Sequence, residues 1–270
     1  TRMTEPAKET TPALIASQEG VVTTVTINDA PWNRMSMEFM DELEVLVEKL
    51  ASDKSVRAVV ITGAGDEHFS VGMHLKQLAA SCKSRGDMES VLDQRLRVLA
   101  AIENMDKPWI ATLYGYCLGG GLELPLACHF RLAAAKGAKI GLPEMDIGSV
   151  PAWGGSARLT RCVGRMHTLD MVLRAKHISG PEALRIGLVN EVWPMAELKQ
   201  KANELAWQLG AMPAGAVASV LKCVVGAGER SLQEGIYEER QAVLRNRGSK
   251  NQMEGMLAFI EKRKPVFNQD

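Results

Sequence analysis

Between Leu14 and Pro194 the chain alternates strand signals with helix signals, and after Pro194 it carries helix signals only. Two alternating apolar stretches, Leu14–Ser17 and Val21–Ile27, flank Glu19-Gly20 and predict a hairpin. An amphipathic helix follows, with Phe39, Leu43, Leu46, Val47 and Leu50 on one stripe. Arg57–Thr62 is a β-branched run closed by Gly63-Ala64-Gly65, which reads as a buried strand and its turn. A second helix aligns Met88, Val91, Leu92, Leu96, Leu99 and Ile102; Pro108 interrupts, and Trp109–Leu113 is another strand leading to Gly119-Gly120-Gly121. Parallel strands need a crossover, and a helix supplies it, so this alternation predicts an α/β core with a largely parallel sheet. Beyond Pro194, Glu197–Leu209, Ala214–Val225, Ser231–Arg247 and Gln252–Lys262 read as helices. The expected division is a tail over 1–12, a core carrying the site over 13–194, and a C-terminal helical region over 195–270.

Charge and cysteine usage exclude several kinds of partner. The 270 residues balance 32 Lys/Arg against 32 Asp/Glu, without the basic excess a nucleic-acid binder carries. The best candidate for a membrane span, Pro108–Leu122, is short and broken by four glycines. The five cysteines (Cys82, Cys117, Cys128, Cys162, Cys223) form no CxxC and read as free thiols in a reducing compartment. With no glycosylation sequon and no signal-peptide core, a cytoplasmic location is expected. Thr1-Arg2 before Met3 reads as an expression remnant, and Glu5–Thr11 as a solvated tail.

Most catalytic motifs fail. Gly63-Ala64-Gly65-Asp66-Glu67-His68 follows a strand, but it lacks the third glycine of a dinucleotide fingerprint and runs into Phe69-Ser70-Val71-Gly72 instead of a helix. There is no P-loop, HExxH or Gly-x-Ser-x-Gly. What remains is Tyr114 through Leu124, where three glycines at the exit of an apolar strand open a helix and leave backbone N–H groups approachable. Such a terminus can hold a developing negative charge. Glu123, one turn into that apolar helix, is either a desolvated general acid/base or a satisfied structural acid. Further on, Pro143 fixes the backbone before Glu144, and Gly154-Gly155 offers another exposed N–H turn. Taken alone, Glu144 reads as a loop acid more than as a catalyst.

Five blocks in order resemble the crotonase (enoyl-CoA hydratase/isomerase) superfamily: Phe69–Met73, Gly115–Glu123, Gly141–Gly155, Ile178–Val192 and the tail Phe259–Phe267. The resemblance implies a ββα-repeat core with a C-terminal helical trimerisation region, and trimers paired into hexamers. It implies an oxyanion hole for an acyl thioester, formed by the backbone N–H groups of Met73 and Gly120. It implies two catalytic carboxyls, Glu123 activating water and Glu144 delivering a proton. Coenzyme A would arrive as part of the acyl-CoA substrate, with no metal or redox cofactor. It would lie along the Gly63–Met73 loop, with Lys262 and Lys264, beside Arg263, as candidates for its phosphates.

Some positions depart from the family's pattern. His74 and His129 stand where Asp is usual, Pro125 enters the Glu123 helix, and Trp153 replaces a small residue beside the expected acyl pocket. His74 and Trp153 are the residues expected to line that pocket: His74 as a cap of the local turn or a second acid/base, Trp153 as buried filler or as a ring that shortens the pocket or stacks on an aromatic acyl group. The gap between the glutamates is one residue longer than usual, which a turn around Lys136-Gly137 would absorb. The implied reaction is hydration of a 2-enoyl-CoA. Double-bond isomerisation, a hydratase-aldolase reaction on an aromatic acyl-CoA, and a catalytically silent thioester-binding scaffold are the alternatives.

Overall fold

The structure, a computed structural model, describes residues 11–81 and 87–269. Thr1-Arg2, Met3, most of the expected tail and Cys82 lie outside the described residues. Strands β1 (Leu14–Glu19) and β2 (Val22–Ile27) form the expected hairpin, with Leu14 opposite Ile27 and Glu19 opposite Val22. Gly20 turns the chain at φ +53°, in the left-handed region that glycine enters without cost. Helix α1 (Met37–Ser52) starts where the Ser36 hydroxyl accepts from the Phe39 N–H, and its Met37, Phe39, Met40, Leu43, Val47 and Leu50 are buried.

Strand β3 (Ala58–Gly63) is buried along its whole length, as is β4 (Trp109–Leu113). Between them lie α2 (Leu75–Ser81) and α3 (Met88–Glu103). The chain continues through β5 (Tyr116–Leu118), α4 (Gly120–Ala127), β6 (Phe130–Ala134), β7 (Lys139–Gly141) and a short 3-10 turn, Glu144–Ile147. It then forms α5 (Gly155–Leu173), broken at Gly164, followed by α6 (Gly180–Arg185) and β8 (Glu191–Trp193). The main sheet runs β1-β2-β3-β4-β6-β8, antiparallel only at the first pair, while β5 and β7 pair separately and in parallel. The fold is therefore the expected α/β one with a parallel-rich sheet. The β6–β7 connection turns through Gly137 at φ +78°, where the extra residue was expected.

Helix α7 (Met195–Gly210) crosses the sheet and buries Leu198, Ala202, Ala206 and Gly210. These small side chains let it lie close; a methyl on Gly210 would already touch Val21. The first helix after Pro194 thus completes the core, and the following three extend from it. In α8 (Ala214–Gly226) and α9 (Leu232–Asn246) no residue is buried, and α10 (Lys250–Glu261) buries only Ala258. They enclose a cleft of about 870 Å³ lined by Val220, Val243, Met256 and Phe259, and leave Leu232, Phe259 and Ile260 largely exposed. Among the described residues, no single helix is long and apolar enough to cross a membrane.

Candidate active site

The site forms where the loop after β3 meets the loop after β4. Residues 69–73 run as an extra extended segment between two neighbours. On one edge Ser70 bridges Cys117 of β5, and on the other Met73 bridges Met35. The Met35 N–H donates to the Gly72 carbonyl (2.8 Å) and the His74 N–H to the Met35 carbonyl (3.2 Å). In a parallel ladder this pattern uses the residues flanking Met73, so the Met73 N–H faces the opposite edge. That edge faces α4: a methyl on Gly72, whose φ is +86°, would stand 3.1 Å from the Gly120 nitrogen. As the first residue of α4, Gly120 has no acceptor for its N–H within the helix. The two N–H groups expected to form an oxyanion hole are thus brought side by side.

Neither Ser70 nor Asn33 stood out in the sequence, yet both shape this turn. The buried Ser70 hydroxyl donates to the Asn33 carbonyl (2.6 Å) and accepts from the Gly72 N–H (3.0 Å). The Asn33 amide donates to the carbonyls of Ala64 and His68 (3.0 and 2.7 Å). A serine in an apolar run carries no local mark of such a role, because the carbonyl it donates to lies far away in sequence and only the Gly72 N–H is local.

Every residue of α4 is buried, so Glu123 has little water around it. Its Oε1 accepts two backbone N–H groups, from Trp153 (2.8 Å) and Gly155 (3.0 Å). The Gly154-Gly155 turn noted in the sequence is therefore the cradle of this carboxylate. A methyl on Gly155 would lie 2.7 Å from Glu123 Oε1, closer than atoms can approach. Burial pushes the Glu123 carboxyl up to about 7; the two N–H donors and Arg158 oppose that rise, and the charge of Glu144 adds to it.

Glu144 follows Pro143 at the start of the 3-10 turn. Its Oε1 lies near Gly119, where a methyl would stand 3.0 Å away, so the carboxyl reaches the glycine cluster that opens α4. Its Oε2 is buried without a hydrogen-bond partner among the described residues. Burial raises the Glu144 carboxyl as well. A buried carboxyl, Glu123, and a partly buried one, Glu144, whose charges repel each other beside the N–H groups that open α4, form a constellation suited to moving protons next to a stabilised oxyanion.

The remaining expected residues take distinct places. His74 sits where α2 begins, and its Nδ1 accepts from the Gln77 N–H (3.2 Å), the job an Asp would do at a helix start. His129 accepts the Trp109 N–H on Nδ1 (3.0 Å) and meets the Glu103 carbonyl through Nε2 (3.2 Å). Burial holds it down at about 4, so it is a neutral connector. Pro125 stays within α4, whose last turn is closed by Arg131 donating to the carbonyls of Pro125 and Cys128 (3.1 and 2.7 Å).

Trp153 is 1% exposed. Its ring packs on Gly120, where a methyl would be 2.4 Å from it, and the Arg95 guanidinium lies 5.8 Å from the ring centroid. It packs behind the N–H that opens α4. Lys262 and Lys264 lie at the far end of α10, and among the described residues no hydrogen bond or ion pair joins them to the Gly63–Met73 loop.

The parallel-rich α/β sheet thus carries at its edge a helix N-terminus, the buried Glu123 and the partly buried Glu144. The family model for enoyl-CoA hydratase/isomerase matches residues 17–270, and the chain belongs to that family. It is 34% identical to a probable enoyl-CoA hydratase of Bacillus subtilis (strain 168), covering 94% of this chain and 98% of that one. It is 32% identical to the short-chain-enoyl-CoA hydratase of Clostridium acetobutylicum, over 93% and 95%. The crystal structure of an enoyl-CoA hydratase from Bacillus anthracis superposes with a TM-score of 0.88 at 30% identity, covering 96% of this chain and all of that one. The chain is thus an enzyme of a family whose curated relatives are named for adding water.

Proposed function

We propose that this enzyme adds water, in the syn sense, across the double bond of a 2-enoyl-CoA thioester. The observation that carries the reading is the pair of carboxyls, Glu123 buried and Glu144 partly buried, at the Gly119–Gly121 turn that opens α4. Ionised Glu123 takes a proton from water as its oxygen attacks Cβ. The electron pair moves onto the thioester oxygen, which the N–H groups of Met73 and Gly120 hold as an enolate. Protonated Glu144 then delivers its proton to Cα, and the product carries one more water than the substrate. Removing one such oxyanion donor typically costs about 3–4 kcal/mol. The two carboxyls titrate as a coupled pair, so the apparent values belong to both.

The scheme needs no metal or redox group; coenzyme A enters only as part of the substrate. An isomerase would need one carboxyl, whereas two stand here. A hydratase-aldolase reading wanted the Trp153 ring free to stack on an aromatic acyl group, and that ring is covered by Gly120 and Arg95. We further propose that three chains associate through α8–α10, pairing into a hexamer, in the cytoplasm. The exposed Leu232, Phe259 and Ile260 support the association.

The test is incubation with crotonyl-CoA and cinnamoyl-CoA, alongside Glu123→Gln and Glu144→Gln. The reading expects a gain of one water that either substitution abolishes. Return of both thioesters unchanged from the wild type would overturn hydration of these acyl groups, and activity retained by both variants would favour a silent scaffold with adventitious turnover.

A further inference from the structure

We propose that Arg158 is a positioning residue for Glu123, fixing from behind the turn whose N–H groups hold that carboxylate. The inference rests on the reading of Glu123 as the group that activates water. The turn Trp153–Gly155 has two faces. On one, Glu123 Oε1 receives the N–H groups of Trp153 and Gly155. On the other, the Arg158 guanidinium donates through Nη1 to the Trp153 carbonyl at 3.0 Å. The same guanidinium donates through Nε and Nη2 to Glu103 Oε2 at 3.0 and 2.8 Å. Glu103 is the last residue of α3, so the turn is braced against a helix remote in sequence.

The fit is tight on both faces. A methyl on Gly154 would lie 2.5 Å from Arg158 Nη1, just as a methyl on Gly155 would collide with Glu123. The side chains of Arg158 and Glu103 are only 14% and 27% exposed, so the pair is partly withdrawn from water. A guanidinium offers donors in a rigid fork and can meet a carboxylate and a carbonyl together; an ammonium concentrates its donors at one point. The braced carbonyl belongs to the Trp153–Gly154 peptide, which lies between the two peptides whose N–H groups hold Glu123; if the brace loosens, that middle peptide is free to rotate and the flanking donors shift off the carboxylate. Misplacing a catalytic group by about 1 Å can cost roughly 100-fold in rate.

The charge of Arg158 acts in the same direction as its geometry. The charged groups acting on Glu123 are Glu144 from the 3-10 turn, which favours its protonated form, and Arg158 from α5, which favours its ionised form. Arg158 itself faces Glu103 from α3, and Arg95, also from α3, lies over the Trp153 ring. Removing the guanidinium therefore raises the midpoint at which Glu123 ionises, while a lysine retains the charge without the fork.

The experiment compares wild type with Arg158→Met, Arg158→Lys and Glu103→Gln. Two readouts are taken: kcat and KM on crotonyl-CoA, and the Glu123 carboxyl titration followed by isotope-edited infrared spectroscopy, assigned with Glu123→Gln. Arg158→Met is expected to lose roughly 10- to 100-fold in kcat with KM little changed, and to shift the Glu123 midpoint upward. Arg158→Lys restores the midpoint and only part of kcat. Glu103→Gln lowers kcat without raising the midpoint. A folded Arg158→Met with wild-type kcat and midpoint overturns the proposal. If Arg158→Met does not fold, wild-type behaviour of both Arg158→Lys and Glu103→Gln overturns it instead. A wild type that fails to hydrate, with the midpoint still rising in Arg158→Met, overturns the reaction assigned to Glu123 and leaves the positioning role supported.

Discussion

Trp153 touches both halves of the site: its backbone N–H donates to Glu123 Oε1 at 2.8 Å, and its indole covers Gly120 so closely that a methyl there would lie 2.4 Å from the ring. One residue thus holds the Glu123 carboxylate and packs on the first residue of α4. Gly120→Ala should consequently displace either α4 or the indole. We expect a loss of at least roughly 100-fold in kcat and destabilisation of about 1–3 kcal/mol. Placing Gly120→Ala in a Trp153→Ala background should recover part of the stability, because the ring that clashes is gone. Strict additivity of the two substitutions in thermal unfolding would contradict this contact.

The raised carboxyl of Glu123 makes stability depend on pH. Its value of about 7 lies above the ordinary 4.5, so between these the native chain holds a proton that the unfolded chain has released. Stability from this group is full below about 4.5 and is lost as pH rises through about 7. Glu123→Gln removes that loss. The variant should gain on wild type across this window, by on the order of 3 kcal/mol at the upper end. Urea unfolding of both proteins at several pH values measures it; a constant difference between them would refute the shift.

Activity should run the other way. Water activation needs ionised Glu123, so kcat/KM should rise with pH along a limb near 7. A limb at the ordinary carboxylate value would mean that burial does not govern the base.

His74 is read as the cap of α2, because its Nδ1 accepts from the Gln77 N–H. His74→Ala should cost about 1 kcal/mol, and His74→Asp should restore it. Thermal unfolding separates this from a role in proton transfer, for which both variants would lose kcat alike and stability would not move.

Much of this was legible in the sequence because its signals are local. The β-branched run of β3, the stripe of α1 and the Gly119–Gly121 turn each carry their own instructions, as does the division between alternating and all-helical halves. The short strands β5, β7 and β8 were not seen, since three residues provide no periodicity. Glu123 and Glu144 could be nominated, but their burial and mutual repulsion depend on tertiary packing. Arg158 looked like any helix-surface cation, because Glu103 and the Trp153 carbonyl reach it only once α3 and α5 pack together. The covered position of Trp153 was equally invisible: nothing near it in sequence announces Gly120.

The exposed apolar face of α8–α10 predicts association. Phe259 and Ile260 are 86% and 73% exposed, and Phe259→Glu with Ile260→Glu should shift the mass in light scattering toward a single chain. A wild type that already runs as a single chain would contradict the trimer.

The most direct measurement is the product formed from crotonyl-CoA in heavy-oxygen water, read by mass spectrometry and proton NMR. The account predicts a 3-hydroxyacyl-CoA carrying one solvent oxygen at Cβ, abolished by Glu123→Gln and by Glu144→Gln. A product with a shifted double bond and no solvent oxygen, or a thioester returned unchanged, would contradict it.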